Sequence, residues 1–100
     1  MKVLKIIADP VKLKRASKML RTVSHPSRLT IIDLLLERGK MSVNDIQEHL
    51  GISQSNTSQH LKALEDVEII ISARDGRKVL YYIHNTHIES LLKCVNECSI

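Results

Sequence analysis

Between Ser42 and Leu64 the apolar positions fall on two short helical faces. Val43, Ile46 and Leu50 recur at i, i+3 and i+7, the spacing of one buried stripe. Ser42 stands before them and Asp45 follows three residues on, an N-terminal signature close to the capping box. Gly51 comes after the last periodic residue, where a helix end favours positive φ without a Cβ penalty. Ile52 anchors the turn, and Ser53 is placed to cap the next helix. In that second helix Thr57, Leu61 and Leu64 point inward. Gln54, Ser55, Asn56, Ser58, Gln59, His60 and Lys62 point outward. A run of short donors and acceptors is a poor core surface, but it suits base edges and phosphate oxygens. The pattern predicts a helix-turn-helix whose second helix, about residues 54–65, reads DNA.

The flanking pattern extends this unit on both sides. Asp9-Pro10 is a helix start, with Asp as N-cap and Pro at the first helical position. The helix that follows has Ala16, Met19, Leu20 and Val23 inward, with Lys12, Lys14, Arg15, Lys18 and Arg21 spread around the rest. Ser24-His25-Pro26 breaks it, because the residue before proline avoids the α region. A second helix, about 26–38, is apolar nearly all round from Leu29 on, is ended by Gly39 and is expected to be the central core helix. His25 reads as a local hydrogen-bonding or packing histidine.

After the helix-turn-helix the period changes from 3.6 to 2. Residues 69–74 and 77–83 flank Asp75-Gly76, a strong hairpin signal. A basic ribbon after a reading helix is a wing. Arg74, Arg77 and Lys78 cluster at its tip, within reach of phosphates or an adjacent minor groove; charge on exposed edge strands also blocks edge-to-edge pairing. A last helix starts near Thr86, with Asn85 or Thr86 as cap, and runs to the end. Its stripe of Ile88, Leu91, Leu92, Val95 and Cys98 is expected to form a dimer seam with the first helix. The fold class is therefore mainly α with a small β-hairpin. Residues 1–8 form an N-terminal extension and 9–100 one winged helix-turn-helix domain.

Composition narrows the partners. The chain has 100 residues and a formal net charge of +4, with a pI of about 9.3. The basic excess is lopsided: residues 1–40 hold ten Lys/Arg against three Asp/Glu, and residues 41–73 hold one against five. Tyr81 and Tyr82 are the only aromatic residues of the Phe, Trp and Tyr class, which argues against single-strand binding through stacked bases. No apolar run approaches the roughly 20 residues of a membrane helix, and residues 1–8 are too short for a signal peptide. A cytoplasmic protein is expected. Its two cysteines, Cys94 and Cys98, do not suggest a structural disulfide.

The chain resembles the ArsR/SmtB family of winged-helix repressors. The likeness is carried by Ser24-His25-Pro26-Ser27-Arg28-Leu29, by Leu50 to Leu64, and by Asp75-Gly76-Arg77 with Tyr81-Tyr82-Ile83. It covers about residues 12 to 98. The resemblance implies a homodimeric repressor on double-stranded DNA, with two reading helices in successive major grooves about 34–36 Å apart on a near-palindromic operator. Gln54, Ser55, Ser58, Gln59 and His60 match the family's DNA-facing positions.

Four departures set the chain apart from the family pattern. The Cys-x-Cys pair that metal-sensing members carry on the first helix of the helix-turn-helix is missing, and Gln47 stands where a small residue is usual. Val67-Glu68 replaces the common Ala-Gly before the first wing strand, so a positive φ retained there would strain Glu68. The C-terminal metal pattern of other members is reduced to Asn85-x-His87 and Cys98, with His84 nearby and no residue for the last ligand. His87 and Cys98 lie roughly 16 Å apart along a helix, too far to share an ion within one chain. No metal or other cofactor is expected; His84, His87 and Cys98 are the residues a shared site would use. Cys94 and Cys98, at i, i+4, are the candidates for thiol-redox sensing, with Cβ atoms about 5–6 Å apart against about 3.8 Å for a disulfide. The competing reading is a winged-helix interaction module controlling a partner regulator. An enzyme is not expected, since no nucleophile–base pair or phosphate loop is present.

Overall fold

The computed structural model describes residues 9–98; the expected extension, residues 1–8, lies outside them. Asp9 opens the first helix, its carboxylate accepting from the amides of Val11 and Lys12 at 3.1 and 3.2 Å. Helix α1 spans Pro10–Val23 and α2 spans Pro26–Arg38. The expected break at Ser24-His25-Pro26 is present, and His25 caps α2 by accepting the Ser27 amide on Nδ1 at 3.1 Å. Strand β1 (Met41–Ser42) leads into α3 (Val43–Leu50) and α4 (Gln54–Asp66). Strands β2 (Ile70–Asp75) and β3 (Lys78–Ile83) form the wing, and α5 spans Ile88–Glu97.

Helix α2 is the central helix, as its apolar run requires. Its Ile31, Ile32 and Leu35 meet Ile46 from α3, Leu61 and Leu64 from α4, and Ile69, Ile70, Met41, Val23 and Ile88 in one buried cluster. Fully burying a side chain of this size stabilises by about 1.5–3 kcal/mol. Helix α2 thus enters the core through three such anchors, and α3 and α4 through one and two.

Five details differ from expectation. Leu20 is 54% exposed and Thr22 takes the buried place beside Val23. The hairpin is widened by a third strand: β1 pairs antiparallel with β3 through Met41↔Tyr81 and Ser42↔Leu80, giving the order β1-β3-β2. The wing turn is shifted by one residue. Asp75 is paired with Lys78, so the two-residue loop is Gly76-Arg77, with positive φ at Gly76 only, the type II′ pattern. The last helix begins at Ile88, because the Asn85 side chain accepts the His87 amide at 3.0 Å and holds a turn ahead of it. The apolar stripe of α5 is divided: Ile88, Leu91 and Leu92 pack against the core, whereas Val95 and Cys98 are exposed.

Glu68 has φ 61°, the strained conformation that the Val67-Glu68 substitution implied. It is the residue at which α4 reverses into β2. The Glu68 amide donates to the Glu65 carbonyl at 2.9 Å, and the Ile69 amide to Leu64 at 3.1 Å. These are the two bonds of a Schellman motif, which needs a left-handed residue at this point.

Candidate nucleic-acid interface

The helix-turn-helix is set by local chemistry. Ser42 Oγ accepts the Asp45 amide at 3.2 Å and Ser53 Oγ accepts the Asn56 amide at 3.0 Å, so both helices carry side-chain caps. Gly51 ends α3 with φ 66° and donates its amide to Gln47 at 2.9 Å. Thr57 is fully buried, and its hydroxyl donates to the Ser53 carbonyl at 2.9 Å. With Leu61 and Leu64 it fixes α4 on the core by one face. The opposite face presents Gln54, Ser55, Asn56, Ser58, Gln59 and Lys62, all exposed. Lys62 lies 3.9 Å from Asp66, an exposed pair of small energetic weight that leaves the ammonium available.

His60 is placed differently from its neighbours. It is half-buried, and its Nδ1 accepts the Arg28 Nε–H at 3.1 Å. Arg28 also donates an Nη1–H to the Thr22 carbonyl at 3.2 Å. The His25 ring lies 4.6 Å from the His60 ring, tilted by 51°. Burial, then the neighbouring His25 and Arg28, hold the His60 imidazole below its ordinary pKa of 6.5. The segment Ser24 to Leu29 thus grips α4 at its midpoint. The sequence marked His25 as a packing residue but gave Arg28 no role, because its partner lies 32 positions away.

The wing follows α4 directly in the chain. Its base is anchored by buried Ile69 and Ile70, and the His84 and Asn85 amides both donate to the Ile69 carbonyl, at 2.8 and 3.2 Å. Lys40 sits 5.2 Å from the centre of the Tyr82 ring, a cation–π contact at the wing base that sequence reading missed. Burial, then the charge of Glu65, raises the Tyr81 phenol above its ordinary pKa. Toward the tip the ribbon leaves the core, and Arg74, Arg77 and Lys78 are exposed there.

The sensor candidates lie elsewhere. His84 and His87 line a groove with Arg15, Asp66 and Glu68, while Cys98 is at the opposite end of α5, so the three do not meet within one chain. Among the described residues no three His, Cys, Asp or Glu side chains gather as a metal site. Cys94 and Cys98 are exposed one turn apart, beside Lys93 and Glu97.

Comparison with known proteins agrees with this architecture. Residues 25–72, from the cap of α2 into β2, match the family model described as bacterial regulatory protein, arsR family. The chain is similar to the HTH-type transcriptional regulator YgaV of Escherichia coli, at 34% identity over 79% of this chain and 80% of that protein. It is similar to the arsenical resistance operon repressor of Staphylococcus aureus, at 34% identity over 83% of this chain and 79% of that protein. The crystal structure of Rv0081 from Mycobacterium tuberculosis superposes with a TM-score of 0.79 at 31% identity, covering 89% of this chain and 88% of that one.

The chain belongs to the arsR family of bacterial regulatory proteins.

As a member of that family it is a transcriptional regulator built on the winged helix-turn-helix DNA-binding fold. Helices α3 and α4 are its helix-turn-helix, and β2–β3 its wing. Among the described residues no helix is long and apolar enough to cross a membrane.

Proposed function

We propose that this chain is a cytoplasmic, homodimeric repressor that reads a near-palindromic operator. Helix α4 enters the major groove, and the wing lies on the backbone or in the adjacent minor groove. One observation carries the reading: α4 is buried through Thr57, Leu61 and Leu64 and exposes an unbroken polar face of Gln54, Ser55, Asn56, Ser58 and Gln59. Amide and hydroxyl groups in that setting are suited to the donor and acceptor pattern of the major groove. Arg74, Arg77 and Lys78 supply the charge for phosphates.

Dimerisation is supported by apolar side chains left uncovered on the first and last helices. Val11, Leu13 and Leu20 of α1 are 60%, 41% and 54% exposed, and Val95 of α5 is 48% exposed. A second copy placing α1 and α5 against their equivalents would cover them and set two reading helices on one face.

The test is a binding titration on promoter fragments, including the one upstream of this chain's own gene, repeated with zinc, with a chelator and with a mild thiol oxidant. Tight binding to one fragment over random duplex is the expected result. Loss of binding only on oxidation, cancelled by Cys98→Ser, assigns effector control to Cys94 and Cys98. Loss with zinc, cancelled by His87→Ala, assigns it to a site shared between chains. No preference for any fragment would overturn the repressor reading.

A further inference from the structure

The His25–Arg28–His60 cluster joins titratable and charged side chains at the helix-turn-helix in a way that the reading surface does not explain. We propose that Arg28 is a positioning residue that fixes His60 as a neutral Nε2–H donor to a DNA phosphate oxygen. The inference rests on the assignment of α4 as the reading helix and says which ionic form one of its side chains takes on DNA.

The geometry runs as a chain of donors. The Arg28 guanidinium donates on one side to the Thr22 carbonyl at the end of α1, and on the other to His60 Nδ1. A guanidinium has no acceptor and does not lose its proton, so His60 Nδ1 must be the bare, accepting nitrogen. The tautomeric proton then resides on Nε2. Among the described residues Nε2 has no hydrogen-bond partner, and no buried side-chain nitrogen or oxygen among them lacks one. Nε2–H is therefore open to solvent.

Position along α4 selects the acceptor. The N-terminal residues of a reading helix meet base edges. His60 is six residues beyond Gln54, roughly 9 Å further along the axis, and half-buried against the start of α2. A short, held donor at that place suits the sugar–phosphate strand bordering the groove. Phosphate contacts of this kind fix register and orientation. A lysine at position 28 could not replace the bridge, because its single ammonium lacks the planar fork that reaches both acceptors.

The test uses the full chain, with a duplex selected on it from a random-sequence library and an unselected random duplex as second probe. His60→Asn keeps an acceptor near the Nδ1 position and removes the Nε2 donor. It is expected to lower affinity about fivefold per bound chain on both duplexes, with an unchanged salt slope because no cation is lost. In long-range proton–nitrogen spectra of the free protein at neutral pH, His60 is expected as the Nε2–H tautomer. Arg28→Ala is expected to give mixed tautomers and the same affinity loss, and Arg28→Lys is not expected to restore either. A wild-type imidazolium or Nδ1–H tautomer, a slope falling by about one in His60→Asn, or loss on the selected duplex alone would each overturn the proposal. If the wild-type chain enriches no sequence, the reading-helix assignment fails. If it does and His60→Asn binds both duplexes as tightly as wild type, this inference fails alone.

Discussion

The Ile69 amide donates to the Leu64 carbonyl across the end of α4, and both side chains are fully buried. That closure forces Glu68, between them in the chain, to φ 61°. A left-handed non-glycine residue costs about 1–2 kcal/mol, and glycine gives back about 0.5–1 kcal/mol of that through the entropy of the unfolded chain. Glu68→Gly is expected to raise stability by about 0.5–1 kcal/mol, read as a higher urea midpoint at fixed protein concentration. Glu68→Ala, equally strained, is expected to show no comparable gain. A lowered midpoint for the glycine variant would mean that the Glu68 side chain contributes more than its backbone costs.

Base reading by α4, as proposed, would separate specific from general affinity. Ser58→Ala combined with Gln59→Ala is expected to weaken binding to the preferred duplex by about 1–3 kcal/mol per lost base contact, with a much smaller effect on random DNA. Competition titrations with both duplexes measure this. Equal losses would place the two side chains on the backbone.

The role proposed for the wing tip is one of charge. Arg77 occupies the second loop position beside Gly76, at the point of the ribbon farthest from the core. Arg77→Ala is expected to reduce the slope of log affinity against log salt by about one unit. An unchanged slope would remove Arg77 from the phosphate contacts.

Acid should loosen the grip on α4. The His60 pKa is lowered in the fold, first by burial and then by His25 and Arg28, the groups facing it. A histidine with a lowered folded pKa is neutral in both states above its unfolded value. As pH falls below about 6.5, the unfolded chain takes up the proton first and stability is lost until the folded pKa is passed. Protonated Nδ1 would also confront the Arg28 Nε–H with a second donor. Urea midpoints between pH 7.5 and 5 are expected to fall more steeply in the wild type than in His60→Gln. Parallel curves would contradict the linkage.

The uncovered apolar residues give a test of assembly. Leu20→Glu with Val95→Glu places charge on both exposed patches without touching the buried cluster. Sedimentation is expected to show a monomer that keeps its helical spectrum, with operator affinity reduced by more than tenfold as two-site binding is lost. A dimer of wild-type stability would put the interface elsewhere.

What the sequence disclosed was local in origin. Ser42, Gly51 and Ser53 act on amides within a few residues, so both helices of the reading unit and the turn between them were legible. The strain at Glu68 came instead from the resemblance, in which a glycine is common at that position, and the positive φ there bears it out. Strand β1 was not legible, because two residues carry no period and its pairing is with Tyr81 and Leu80, far along the chain. The turn slipped by one because Asp75-Gly76 and Gly76-Arg77 both present a glycine, and only the pairing of Asp75 with Lys78 distinguishes them. The outward face of α4 was read from helical spacing alone, which cannot show that Arg28 occupies one nitrogen of His60.

Ser42 belongs at once to the sheet, opposite Leu80, and to α3, whose first turn it caps. A single residue thus joins the ribbon to the helical pair. Ribbon and helical pair are set against each other there like the jaws of a calliper. The ribbon can vary in length or charge at its tip while the jaw setting is kept, but an insertion at this joint would alter groove and backbone contacts together.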